Sequence, residues 1–246
     1  MLPKMTVVMV DYKSPNLTRV AIDSFKKFNN NFFDIDFLIV ENSDQDIKSD
    51  FKEATVINRK TTSSFSIAHG EGLEAAKPYL TSEYVFMCHN DVCVTSTSFF
   101  EELIQCINEK VVLAGVCEDK HPDRVNALHC SGLFMSTELY MKIDMLPELP
   151  RIDTADKLTL HCREMGLKTK LFRNTYNDAS FVKICNSPFK ELGENCGVDR
   201  CLDSKGKVMY IHQGRGTTKN AKQYHHPGKM MTEEWIMFCR KLMNEI

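Results

Sequence analysis

No glycine-rich loop follows the first apolar run; the residues there are Asp11-Tyr12-Lys13-Ser14-Pro15. The GxGxxG turn of a dinucleotide dehydrogenase is therefore missing. GxxxxGK[ST] occurs nowhere, which excludes a P-loop NTPase. No apolar run approaches the ~20 residues that cross a bilayer, so no transmembrane segment is expected. Met1-Leu2-Pro3-Lys4-Met5 opens no apolar stretch of signal-peptide length. The ten cysteines form no CxxC pair, and the five-residue spacings of Cys88/Cys93 and Cys196/Cys201 fit no common zinc module. An excess of one charge is lacking too: net charge is −2, with 26% charged and 43% hydrophobic residues. That balance leaves no footprint for nucleic acid or an acidic membrane.

What is present is a chain of 246 residues, enough for one large α/β domain. Many cysteines sit inside apolar runs (Cys88, Cys106, Cys117, Cys239), as reduced structural thiols do, and the expected compartment is the cytoplasm. Thr6 to Val10 is a continuous apolar run, the mark of a buried parallel strand. Leu17, Val20, Ala21, Phe25 and Phe28 then recur at helical spacing. Ile35 to Val40 and Ala54 to Ile57 read as strands, and Phe65 to Tyr79 as a helix. A strand at Tyr84 precedes a helix from Ser98, its expected N-cap, to Glu109. Val111 to Val116 is apolar again. This alternation predicts a mostly parallel, Rossmann-like sheet sandwiched between helices.

The second half is less regular. Ala127 to Met135 reads as a strand, Ser136 to Ile143 as a short helix, and Leu158 to Met165 as a helix ended by Gly166. Residues 174–207 read as loops, with 117–130, as the expected seat of specificity. Val208 to Ile211 reads as a strand. Thr232 to Ile246 carries a broad apolar stripe and is expected to dock on the body.

Three acidic residues end predicted parallel strands: Asp11, Glu41 and Asp91. A lone strand-end carboxylate is commonly a solvated turn. Three on one edge would surround a crevice for a ribose, a base and a metal-bound diphosphate, since ligands lie beyond the carboxyl ends of such strands.

The run Val7 to Tyr12 resembles the first strand of family-two-like, inverting GT-A glycosyltransferases. Leu38-Ile39-Val40-Glu41-Asn42-Ser43 resembles their second strand, which usually ends Asp-Asn-Ser. Ile67-Ala68-His69-Gly70-Glu71-Gly72-Leu73-Glu74-Ala75-Ala76 is similar to their Ala-Arg-Asn-x-Gly-x-x-x-Ala helix. His89-Asn90-Asp91 stands where they carry Asp-x-Asp. The resemblance covers residues 5–95 and thins beyond. It implies one GT-A-like domain over residues 1–246, with a donor half at 1–95 and an acceptor half with the C-terminal helix at 96–246.

The resemblance also implies roles. Tyr12 would stack on the nucleobase of a UDP- or GDP-sugar. Glu41 would bond its base or ribose, with Asp11, His69 and Asn90 around the donor. Asp91 would bind Mn²⁺ or Mg²⁺, with His89 in place of the first Asp and His212 completing the set. Gly132 would let the backbone pass close to the donor sugar, as a glycine inside a strand pattern allows. His129 is open between acceptor contact and core. Arg215 and Lys219 would clamp the diphosphate from a lid hinged at Gly214 and Gly216. Asp153 or Asp156 would be the base on a glycan or other hydroxyl acceptor. Asp153 also suits an N-cap with Asp156 at N3. His225 and His226 read as a surface pair. The implied activity is transfer of a hexose or deoxyhexose. A non-catalytic nucleotide-sugar-binding module is the alternative. A sugar nucleotidyltransferase is less well matched, because its glycine-rich activating loop is missing.

Overall fold

The computed structural model describes residues 1–117, 122–194, 196–216, 219 and 229–245. His225 and His226 lie outside the described residues. Chain order begins β1 (Lys4–Asp11), α1 (Pro15–Phe28), β2 (Asp34–Glu41), β3 (Ala54–Asn58), α2 (Phe65–Ala76), β4 (Tyr84–His89), β5 (Val92–Val94), α3 (Ser98–Asn108) and β6 (Leu113–Gly115). It continues β7 (Gly132–Ser136), α4 (Thr137–Lys142), α5 (Asp156–Glu164), β8 (Thr169–Leu171), β9 (Arg173–Asn174), β10 (Asp199–Leu202), β11 (Val208–His212) and α6 (Thr232–Glu245).

Seven strands form one sheet in the order β3-β2-β1-β4-β7-β6-β8. β1, β2, β3 and β4 run parallel, and β7 is antiparallel to β4 and β6. β1 shows why its run is apolar throughout. Met5, Val7 and Met9 enter the core built with α1 and α3, and Val8 enters the core on the other face with α2, α4 and α5. Phe25 of α1 meets Phe86, Phe99 and Phe100 with ring centroids 5.7–6.3 Å apart. Burying each such side chain contributes roughly 1.5–3 kcal/mol.

The chain winds outward from β1 to β3, then returns to place β4 on the other side of β1. The strand order therefore reverses between β1 and β4. A crevice opens outside the carboxyl ends of strands at such a point.

Four further strands form a second sheet in the order β5-β11-β10-β9. Of its strands the sequence predicts only β11, at Val208 to Ile211. Residues 174–207, read as loops, contain β10, whose four residues are all buried. β5 follows β4 after only two residues and carries no pattern of its own. The strand expected at Ala127 starts only at Gly132, and the helix expected through Tyr79 ends at Ala76 in a 3-10 turn. Ser98 is the first residue of α3 and not its N-cap, a position taken by Thr97. α6 docks through buried Trp235, Cys239 and Leu242. None of the ten cysteines is in a disulfide and all are buried. Among the described residues no helix is long and apolar enough to cross a membrane.

Candidate functional site

A cleft of about 810 Å³ lies at the β1/β4 reversal. Its described lining includes Tyr12, His69, His89, Asn90, Asp91, His129, Cys130, Asp153 and Arg215.

Strand register assembles its centre. β5 pairs with β11 so that Val92 faces His212, and the Gln213 amide donates to the Asp91 carbonyl at 3.0 Å. His212 Nε2 is thereby brought to 3.2 Å from Asp91 Oδ1. His89 Nδ1 stands 3.2 Å from His212 Nε2 and 4.0 Å from Asp91 Oδ1. The other carboxylate oxygen, Oδ2, accepts the Gly216 N–H at 2.8 Å. Burial opposes charge on Asp91, but the His212 charge and hydrogen bond, His89 and the Gly216 N–H outweigh it and hold the carboxyl well below its usual range. It is ionised throughout the neutral range.

One carboxylate and two imidazoles make a possible metal site, with one ligand atom from each residue inside 4.8 Å of the others. The two separations of 3.2 Å suit adjacent positions on one octahedral ion, where bonds of about 2.1 Å put neighbouring ligands about 3 Å apart, and the 4.0 Å between His89 Nδ1 and Asp91 Oδ1 is near the roughly 4.2 Å of opposite positions. The residues present fit a divalent ion. Imidazole ligands favour a transition metal over Mg²⁺.

Gly216 is part of that fit. A Cβ there would stand 2.5 Å from Asp91 Cβ and 2.6 Å from Oδ2. This glycine is packed against Asp91. Gly216→Ala is expected to push Asp91 aside and weaken metal binding about 10–100-fold, as loss of an orienting partner does. Titration with Mn²⁺ measures it; unchanged affinity would contradict the contact.

Around this centre stand four imidazoles. Ring centroids of His69, His129 and His212 lie 5.0, 5.5 and 5.1 Å from that of His89. His69 comes from α2. Its helix sits close to β1, because Gly72 leaves no room for a side chain against Val10. His129 precedes β7, and the His89 amide donates to the Ser131 carbonyl at 3.4 Å, which anchors that segment. Burial first, then the His129 charge, brings the His69 pKa down from 6.5 to about 4. Burial, then His69 and His212, holds His89 well below its usual value. A histidine whose pKa is lowered by folding takes up its proton more readily once unfolded. Its contribution to stability is complete above about pH 6.5 and is lost as pH falls toward 4. Imidazole proton NMR of the metal-free protein is expected to show His69 taking up its proton only near pH 4. Protonation near pH 6.5 would contradict its neutral burial.

Several expected contacts are placed differently. Of the three strand-end acids only Asp91 is among the described lining residues. Asp11 is fully buried, accepting the Ser14 amide at 2.9 Å, the Thr18 hydroxyl and Asn90 Nδ2 at 3.0 Å. It ties β1, α1 and the β4 turn together beneath the cleft. Glu41 pairs with Asp11 in strand register and is also fully buried. Its Oε1 accepts the Ser43 amide at 2.6 Å, while Oε2 is buried with no partner at hydrogen-bonding distance among the described residues. Burial, opposed by the Ser43 bond and reinforced by the Asp11 carboxyl, raises its pKa to about 7. The close approach at Gly132 is to core rings: a Cβ there would meet the Tyr210 hydroxyl at 2.8 Å and Phe86 at 3.2 Å. Arg215 lines the cleft, but Lys219 is buried, its Nζ donating to the Gln213 carbonyl at 3.2 Å. Thr217 and Thr218 of the expected lid lie outside the described residues.

Asp153 and Asp156 separate. α5 begins at Asp156, with Ala155 at its N-cap in the left-handed region at φ 66°, so Asp153 is not the cap. Asp156 is buried and accepts the Asp153 amide at 2.8 Å. Asp153 lines the cleft, its carboxylate paired with Arg124 and with the Thr154 amide at 2.7 Å. Burial raises its pKa, but bonds from Ser66, Thr154 and Arg124 lower it further. Cys130 and Phe65 were not among the sequence expectations. Phe65 is 83% exposed at the cleft with φ 47°, a flat ring with nothing of its own to cover.

No family model matches the sequence, and no curated protein matches it. Solved structures do. The mannosyltransferase PcManGT from Pyrobaculum calidifontis, solved with GDP-Man and Mn²⁺, matches with a TM-score of 0.54 over 70% of this chain at 12% identity. This chain covers 55% of that protein, about half its length. The apo-form glycosyltransferase GlyE in Streptococcus pneumoniae TIGR4 matches at 0.53 over 99% of this chain and 63% of its own, at 14% identity. The fold is the GT-A-type glycosyltransferase fold, with a mostly parallel seven-stranded sheet flanked by helices.

Proposed function

We propose that the protein is a nucleotide-sugar-dependent glycosyltransferase that transfers a hexose or deoxyhexose, with inversion, to a hydroxyl of a glycan or other acceptor. The observation that carries this reading is the Asp91, His89 and His212 group at the β1/β4 reversal of a GT-A-type sheet. The donor is a UDP- or GDP-sugar, held by the first 95 residues. Tyr12 and Phe65 offer exposed rings to the base and sugar. Asp11, Asn90 and Glu41 support the floor of that half from below. Arg215 faces the diphosphate from the β11 side. Its charge stabilises the leaving group as the bond to the anomeric carbon breaks. Asp91, His89 and His212 hold Mn²⁺, whose charge, when bound, stabilises the departing diphosphate. Buried reduced thiols suit a cytoplasmic site of action.

Asp153 stands on the acceptor side and takes the proton of the attacking hydroxyl. The new bond forms as the bond to the diphosphate breaks on the opposite face. The Arg124 pair lowers the basicity of Asp153. That pair is the one observation favouring a second reading, a nucleotide-sugar-binding module without transfer. A panel of UDP- and GDP-sugars with Mn²⁺ and simple glycoside acceptors separates the two. Release of nucleoside diphosphate that depends on acceptor supports the transferase. Tight donor binding with no release supports the module.

A further inference from the structure

The cleft holds a second set of metal ligands beside the Asp91 group. Its members come from three separate elements: His69 from α2, His89 from the end of β4, and Cys130 from the segment before β7. Cys130 Sγ lies 3.4 Å from His89 Nε2 and 3.8 Å from His69 Nδ1. One ligand atom from each residue lies within 4.8 Å of the other two. In tetrahedral zinc, bonds of about 2.05 Å to nitrogen and about 2.3 Å to sulfur place N and S ligands roughly 3.6 Å apart. The two observed distances bracket that value.

We propose that His69 Nδ1, His89 Nε2 and Cys130 Sγ form a zinc site distinct from the Asp91 group. A thiolate with two imidazoles selects Zn²⁺ over the hard ions Mn²⁺ and Mg²⁺. All three residues line the cleft, so the fourth position is open to it. Three protein ligands with one open position is the pattern of a reactive zinc and not of a closed structural one. As the Zn–S bond forms, the Cys130 thiol proton leaves to solvent, so binding strengthens as pH rises. The site needs only these three side chains and does not rest on the transferase reading.

His89 belongs to both sets, one ring nitrogen to each. Nε2 faces Cys130, and Nδ1 faces His212 at 3.2 Å. A neutral imidazole has one nitrogen lone pair; the other nitrogen carries the proton. Zinc on Nε2 therefore leaves Nδ1 as an N–H, and His89 serves one ion at a time. Zinc at the second site removes one ligand from the Asp91 group.

Cobalt(II) added to the metal-free full chain is the direct probe, because cobalt bound to thiolate shows a sulfur-to-metal charge-transfer band in the near ultraviolet. One equivalent is expected to produce that band together with the intense visible absorption of tetrahedral cobalt, and Zn²⁺ is expected to bleach both. Cys130→Ser is expected to abolish the band. His69→Asn is expected to weaken cobalt binding by on the order of 100-fold, since even an orienting partner is worth 10–100-fold. His212→Ala is expected to retain the band. A wild-type chain without the band, or a band that survives Cys130→Ser, overturns the proposal. Loss of the band in His212→Ala overturns it as well. Failure of the transferase reading would show in nucleotide binding, which the cobalt spectrum does not report.

Discussion

Asp91→Ala is expected to remove metal-dependent donor binding and to lower transfer by at least about a thousandfold, the several kcal/mol that a metal ion contributes to a leaving group. The residue cannot be spared on geometric grounds. Its Oδ1 is the carboxylate oxygen facing His212 and His89, and its Oδ2 is already engaged by the Gly216 N–H. Alanine leaves two imidazoles without a carboxylate, a set that holds Mn²⁺ poorly. Asp91→Asn keeps an oxygen for the Gly216 bond but loses the charge. It is expected to retain the fold and lose the ion, which separates chemistry from packing. Calorimetric titration of UDP- and GDP-sugars with and without Mn²⁺ reads both. Normal binding and turnover in Asp91→Ala would remove the metal assignment.

The second large effect divides the two acceptor-side acids. Asp153→Asn is expected to lower kcat about 10²–10⁴-fold, as loss of a general base does, with donor binding retained. Asp156→Asn is expected to act on stability instead. That carboxylate is buried, accepts the Asp153 amide, and is not among the described residues lining the cleft. Losing its charge weakens one bond, at a cost of about 1–3 kcal/mol in the melting transition. Steady-state kinetics beside thermal denaturation distinguishes them. Full activity in Asp153→Asn would take this segment out of the reaction.

The parallel half was legible because its strands are buried on both faces and so are continuously apolar, as Val7 to Val10 and Leu38 to Val40 are. The position of Asp91 followed from that pattern. The shape of the site did not, because it depends on long-range register. β5 and β9 are only three and two residues long, too short to carry a period. The pairing of β7 with β4 alone brings Cys130 to His89, 41 residues away in sequence. The inward turn of Asp11 and Glu41 depends on which side of the sheet end α1 closes. Nothing in their own segments records that. Asp153 lines the cleft and Asp156 does not, and one backbone detail goes with that difference, the left-handed Ala155 that starts α5 late. His89 and His69 stand where the family that residues 5–95 resemble carries Asp and Arg. In the structure they meet each other, with ring centroids 5.0 Å apart.

The central claim is that the cleft binds a nucleotide diphosphate sugar through a metal on Asp91. The most direct test is the thermal midpoint of the protein against a panel of nucleotides and nucleotide sugars, with and without Mn²⁺. Ligand that binds only the folded chain raises the midpoint by mass action. A rise is expected for one nucleotide family, only when Mn²⁺ is present, and lost in Asp91→Ala. No rise with any nucleotide, with or without the metal, would contradict it.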